Sequence, residues 1–274
     1  MEFKAATGPI ISLDESSVLD IGHLLIAGVD LAPGRAIPDD GDSRIDHSLQ
    51  GFLFTCGPDH IRHPEPIDQG SKKNYPLHGS FSSHPAEIVS LTMDKDAECT
   101  ARVAVALADG GEALLERHWQ IDGETGMVSL RDTVTNTGST SFPPMLMYHM
   151  NIGSKHLDDG TMLAGAMLED SQTPWRFGKP DGDIICVSAG MGGWAELRLG
   201  PIAAIGGRML QVRFRTDTLP YLQLWHNQTD PAKVIGIEPV SHRMEGRNAL
   251  EARGELPLLA PGETRDYGLN FAFI

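Results

Sequence analysis

Ionisable side chains set among apolar neighbours are where chemistry is first sought, because burying a charge is unfavourable unless something holds it. Three segments have that character. Tyr75-Pro76-Leu77-His78-Gly79-Ser80 places a histidine between an apolar residue and a glycine, and the glycine lets a ligand approach the backbone. Met147-Tyr148-His149-Met150-Asn151-Ile152-Gly153 follows the apolar lead-in Pro143-Pro144-Met145-Leu146. On a strand, His149 and Asn151 share one face, and Tyr148 and Met150 the other. Ile235-Gly236-Ile237-Glu238-Pro239 ends an apolar run on a carboxylate, whose pKa burial would raise toward that of a useful general base. Each segment also has a plainer account: a loop histidine held by backbone, a satisfied core histidine, a strand-end glutamate emerging into water. Taken together, His78, His149 and Glu238 supply an acid and a base, with no nucleophile and no metal required.

Other residues are candidates for holding a substrate. Arg62 suits a hydroxyl, carboxylate or phosphate, or else points into solvent. Asn151 shares its face with His149. Trp225 and His226 lie just before the Glu238 strand, and an aromatic face suits the C–H surface of a ligand; plain core packing is the competing account of the tryptophan. His60, His63 and Glu65 have the types and spacing of metal ligands, although spacing alone does not fix their geometry. The expectation is no metal and no cofactor. The chain has no dinucleotide or phosphate-binding glycine loop, no HExxH and no GxSxG.

The elements that must position these residues are strands. Val103, Val105 and Leu107 alternate, Asp109-Gly110-Gly111 turns the chain, and Glu112–Ile121 returns. Val128, Leu130 and Val134 share the next face. Alternation recurs through Ala195–Leu199, Gln211–Arg215, Tyr221–Trp225 and Tyr267–Phe273. Val234–Glu238 is nearly all apolar, as expected of a strand buried on both faces. No stretch carries a sustained helical stripe; Leu13–Leu19 is the one candidate for a short helix. Regularly spaced strands separated by turns predict a single all-β domain over 1–274, a large sandwich.

A net charge of −15 over 274 residues argues against nucleic-acid or anionic-membrane partners. Cys56, Cys99 and Cys186 are too few and too scattered for a disulfide framework. The N-terminal residues do not read as a secretory signal, and no apolar run is long enough to span a bilayer, so the expected compartment is the cytoplasm.

At its chemistry-bearing residues the sequence resembles the aldose 1-epimerase (galactose mutarotase) superfamily, in particular a bacterial branch of it. The resemblance rests on Gly51–His60, Leu77-His78-Gly79, Tyr148-His149-Met150-Asn151 and Gly236-Ile237-Glu238-Pro239, with Val134–Gly138 and Leu259–Glu263. These occur in the family's order and span the chain from about Asp20 onward. The resemblance implies a galactose-mutarotase-like sandwich whose concave face binds a free sugar or sugar derivative. It implies that Glu238 is the general base, that His149 is the general acid toward the ring oxygen, and that His78 binds and polarises the sugar. The chain departs from the family at Tyr75-Pro76 before the first His-Gly, at the shortened His149-Met150-Asn151, and at Pro239-Val240-Ser241 after the glutamate. These departures bear on the substrate more than on the proton chemistry. Two other functions are compatible with the residues: a non-catalytic sugar-binding protein on the same fold, and a metal-assisted isomerase or lyase using His60, His63 and Glu65. The expected partner is a small carbohydrate, and the sequence is compatible with a homodimer.

Overall fold

Alternation in sequence becomes alternation of burial. In the strand Ala97–Ala106, Cys99, Ala101, Val103 and Val105 are buried, while Glu98, Arg102 and Ala104 are exposed. A computed structural model of the chain describes residues 1–37, 41–45, 49–68, 70–179 and 181–274. It is 46% strand and 6% helix, arranged as two antiparallel sheets.

The first sheet runs, in spatial order, Glu2–Phe3, Ile10–Asp14, Asp20–Ile26, Leu53–Cys56, Met147–Gly153, Val234–Val240, Tyr221–Asn227 and Asp183–Ser188; Val29–Asp30 pairs with Asp20–Ile26. The second runs Gln172–Pro174, Met162–Ala164, Trp194–Ile202, Arg208–Arg215, Thr264–Phe273, Val128–Asn136, Glu112–Ile121, Ala97–Ala106 and Glu87–Met93. The fold is the all-β sandwich that the alternation predicts. The helix expected over Leu13–Leu19 is not there. Leu13 and Asp14 end a strand, and Val18 and Leu19 have φ of 42° and 60°, which closes a turn and is incompatible with a right-handed helix. Among the described residues the α-helix is Arg247–Ala252. None of their helices is long and apolar enough to cross a membrane.

The centre of the first sheet is buried on both faces. One face meets the second sheet across the main core, which includes Tyr148, Met150, Ile152, Ile235 and Ile237. The other face lies under loops, where Phe54, Cys56, Met147, Val234 and Val240 form a smaller apolar cluster with Ile61 and Leu250. Met147–Gly153 and Val234–Val240 therefore have no exposed residue, and any polar side chain on them must be paired or serve a site.

Between the sheets one polar cluster is paired throughout. Buried Arg117 donates from Nε and Nη2 to Asp132, from Nη1 to Asp20 and the Val18 carbonyl, and from Nη2 to Thr55 Oγ1, at 2.7–2.9 Å. All five guanidinium donors are thereby used. Tyr148 donates its hydroxyl to Asp132 at 2.9 Å, which ties the central strand of the first sheet to the second.

Candidate active site

Three neighbouring strands of the first sheet build the site on its loop-covered face. Register sets Gln223 opposite Glu238, Trp225 opposite Gly236, and Asn151 opposite Gly236 on the other side. Side chains directly across antiparallel strands share a face, so Glu238 is flanked by Gln223 and by His149. Nε2 of His149 lies 3.1 Å from Oε1 of Glu238, and both side chains are buried. The imidazole is met edge-on by Trp225, with ring centroids 5.6 Å apart, and by His78 at 5.9 Å. His78, His149, Glu238, Arg62, Gln223 and Trp225 line one cavity of about 740 Å³.

His78 arrives from a loop. Its φ of 64° is left-handed, a conformation uncommon outside glycine. Two backbone bonds hold it: His78 N–H to the Arg62 carbonyl at 2.8 Å, and Gly57 N–H to the His78 carbonyl at 2.9 Å. Gly79 follows with φ of 90°, and a Cβ there would lie 2.0 Å from the His60 carbonyl oxygen. The His-Gly pair is thus a turn whose second position has no room for a side chain.

Burial disfavours charge on every member of the trio. It raises the Glu238 carboxyl to about 8, against a smaller lowering by the Gln223 hydrogen bond and by the Arg62 charge. It lowers the His149 imidazole to about 3, with Asn151 opposing. His78 is lowered well below the ordinary imidazole range by burial and then by His149. The sequence led us to expect an ionised Glu238 and a protonated His149. Burial instead favours the neutral form of both, a protonated carboxyl beside a neutral imidazole.

Two residues of the site were missed in the sequence. Gln223 donates Nε2–H to Oε2 of Glu238 and accepts from Arg62 Nη1 at 3.3 Å. An arginine can only donate, so the amide is oriented with its oxygen toward Arg62 and its nitrogen toward the carboxyl. The available signal was its place on a strand two residues before Trp225, on the same face. Gly236 is required by space: a Cβ there would lie 2.5 Å from Glu238 Oε1 and 3.0 Å from His149 Cε1.

Three candidates are not brought to the cavity. Asn151 is wholly buried, and its Nδ2 faces the carbonyls of Gly51 and His149 at 3.4 Å. His226 follows Trp225 on the strand and so turns to the opposite face, where its Nε2 meets the Phe177 carbonyl and its ring packs edge-on against Phe177. His60 stacks on Tyr75 and places Nε2 2.7 Å from the His63 carbonyl. Its Nε2 is thereby committed to a backbone carbonyl, and His63 and Glu65 line the cavity while His60 does not. No group of three or more His, Cys, Asp or Glu side chains among the described residues is arranged to hold a metal.

A family model described as "Domain of unknown function (DUF4432)" matches residues 29–173 and 193–273. Comparison with curated proteins returns no match. Among solved structures, one from Klebsiella pneumoniae, proposed to be an aldose 1-epimerase, superposes with a TM-score of 0.77 at 17% identity, covering 97% of this chain and 77% of the other. Slr1438 from Synechocystis gives 0.73 at 16% identity, over 100% and 94% of the two chains. A galactose mutarotase related enzyme from Lactobacillus acidophilus gives 0.69 at 10% identity, over 100% and 97%. At these identities the likeness establishes the fold, which is the galactose-mutarotase-like sandwich.

Proposed function

The chain belongs to the family described as Domain of unknown function (DUF4432), and from that premise we propose that it is an aldose 1-epimerase-like isomerase, interconverting the anomers of a free sugar or sugar derivative. The observation that carries this reading is the Glu238–His149 pair: two proton-exchanging groups 3.1 Å apart, opposing in acid–base character, on the wall of a cavity of ligand size. The names of the similar structures are in accord with it.

The chemistry requires one group to take the anomeric hydroxyl proton and another to give one to the ring oxygen. A pair holding a single proton can do both. With both groups neutral, the proton is on Glu238. A bound sugar donates its anomeric O–H to the carboxyl and accepts at its ring oxygen, and both contacts favour moving the proton across to His149 Nε2. From that state Glu238 takes the hydroxyl proton, His149 protonates the ring oxygen, and the C1–O5 bond breaks to give the open-chain aldehyde. Rotation about C1–C2 presents the other carbonyl face. O5 re-adds as its proton returns to His149, and the carboxyl returns the other proton to O1. Protons and electrons balance with no external reactant. In this reading Arg62 and Trp225 hold hydroxyls and the C–H face, and His78 polarises the sugar. Positioned proton transfer of this kind is worth about 10²–10⁴-fold in rate.

Saturation-transfer NMR of anomer exchange across neutral sugars, uronic acids and sugar phosphates tests the proposal, with calorimetry measuring binding separately. Glu238→Gln and His149→Asn are expected to bind a turned-over sugar within about tenfold of wild type and to lose about 10²-fold or more in exchange. Because the two act as one relay, the double variant should be little worse than either single one. Sugar binding without exchange by the wild type would make this a carbohydrate-binding protein instead.

A further inference from the structure

A line of polar atoms crosses the site, and its direction can be read from one end. Arg62 Nη1 donates to Gln223 Oε1, and Gln223 Nε2 donates to Glu238 Oε2. Glu238 Oε1 faces His149 Nε2. At the far side His149 Nδ1 and Asn151 Oδ1 are both buried, and neither has a hydrogen-bond partner of ordinary geometry. The two side chains are two residues apart on one strand and so share its face. Asn151 Nδ2 is directed at the Gly51 and His149 carbonyls, which leaves its oxygen as the end turned away from them. Gly51 is fixed in turn: its φ is 82°, and a Cβ there would lie 2.5 Å from the Ile21 carbonyl oxygen.

We infer that Asn151 is a positioning residue whose Oδ1 accepts the Nδ1–H of His149, locking the neutral imidazole in the tautomer that leaves Nε2 free to exchange a proton with Glu238. A buried donor left unpaired is unfavourable, and pairing with one another would satisfy both atoms. The lock also sets the roles along the line. Arg62 forces the orientation of Gln223, Gln223 forces Glu238 Oε2 to accept, and Asn151 forces His149 Nδ1 to donate. The proton between Glu238 Oε1 and His149 Nε2 is then the one left free to move. With the other tautomer, Nε2–H would face a protonated carboxyl, two donors would compete for one position, and the pair would lack a base. The kinetic consequences rest on the epimerase reading; the tautomer itself does not.

The test is the ¹⁵N NMR spectrum of the full-length wild-type protein, with the imidazole of His149 assigned by its loss in His149→Asn. The expected result is a neutral ring protonated at Nδ1 with Nε2 bare, at pH 6 and without ligand. A ring protonated at Nε2 would overturn the proposal whether or not any sugar is turned over. A Nδ1–H ring in a protein that exchanges no sugar would leave the lock standing and sink the epimerase reading. Asn151→Leu should lower the maximal exchange rate by about tenfold or more with little change in KM, because the residue does not touch the cavity. Asn151→Asp should restore part of that rate and move the acid limb of the pH profile upward, because a carboxylate on Nδ1–H makes Nε2 more basic. Equal loss in both variants with an unmoved pH profile would mark Asn151 as merely structural.

Discussion

Tyr148 and His149 are consecutive, and they enter two buried polar clusters of opposite character. Tyr148 joins the cluster between the sheets, where the five donors of Arg117 and the oxygens of Asp20 and Asp132 are matched at hydrogen-bond distance. His149 joins the cluster under the loops, where Glu238 Oε1, beside the cavity, meets no ordinary hydrogen-bond geometry and burial drives charge off both ionisable members. A polar cluster whose valences are all matched fixes a structure. One that keeps spare valences beside a cavity is poised for a substrate to complete it. The strand separates the two jobs by its two-residue period alone.

That contrast can be pushed from both sides, and stability is the common scale. The largest effect is expected in the matched cluster. Arg117→Met leaves Asp20 and Asp132 without their counter-charge and should cost about 3–5 kcal/mol, measured by urea unfolding. In the site the sign reverses. The Glu238 carboxyl titrates near 8 in the folded protein against 4.5 ordinarily, so the folded state holds the proton more tightly. Stability from this group is therefore complete below about pH 4.5 and falls away as pH rises through about 8. Glu238→Gln should remove that decline, and at pH 9 it should be more stable than wild type while exchanging sugar far more slowly. Tyr148→Phe, which removes one bond to Asp132, should lower stability by about 1.5–3 kcal/mol and leave exchange near wild type. The smallest stability change is expected for Gly236→Ala, about 1–3 kcal/mol, because the new Cβ crowds the buried Glu238 Oε1 and His149 Cε1. Its exchange should nevertheless fall by about tenfold or more, because the carboxyl must leave its place beside His149. A Gly236→Ala protein that exchanges normally would mean that the pair need not be so closely set.

The sandwich was legible because burial follows every second residue in Ala97–Ala106 and its neighbours, and because Gly and Asp turns separate the strands. The supposed helix at Leu13–Leu19 misled because residue spacing carries no information about the sign of φ at Val18 and Leu19. In the site, apolar flanks pointed to His78, His149 and Glu238, which the fold brings to one cavity from three distant segments. The same two-residue period should have separated His226 from Trp225 and paired Trp225 with Gln223. The spacing of His60, His63 and Glu65 gave no warning that Tyr75 would stack on His60 and turn it aside. The Arg117 cluster was invisible because its members are remote in sequence and meet only through strand register. Asn151 was correctly placed on the face of His149, but only the burial of its oxygen distinguishes a support for the imidazole from a contact for the substrate.

The central claim is that one proton shared by Glu238 and His149 does the chemistry, and the pH profile of wild-type anomer exchange, corrected for buffer, tests it most directly. Below about pH 3 both members would be protonated and no base would remain; above about pH 8 both would be bare and no acid would remain. The account predicts a plateau between these limits with exchange falling beyond each. A rate that climbs steadily through pH 8 would show that the carboxylate works without the shared proton and would contradict it.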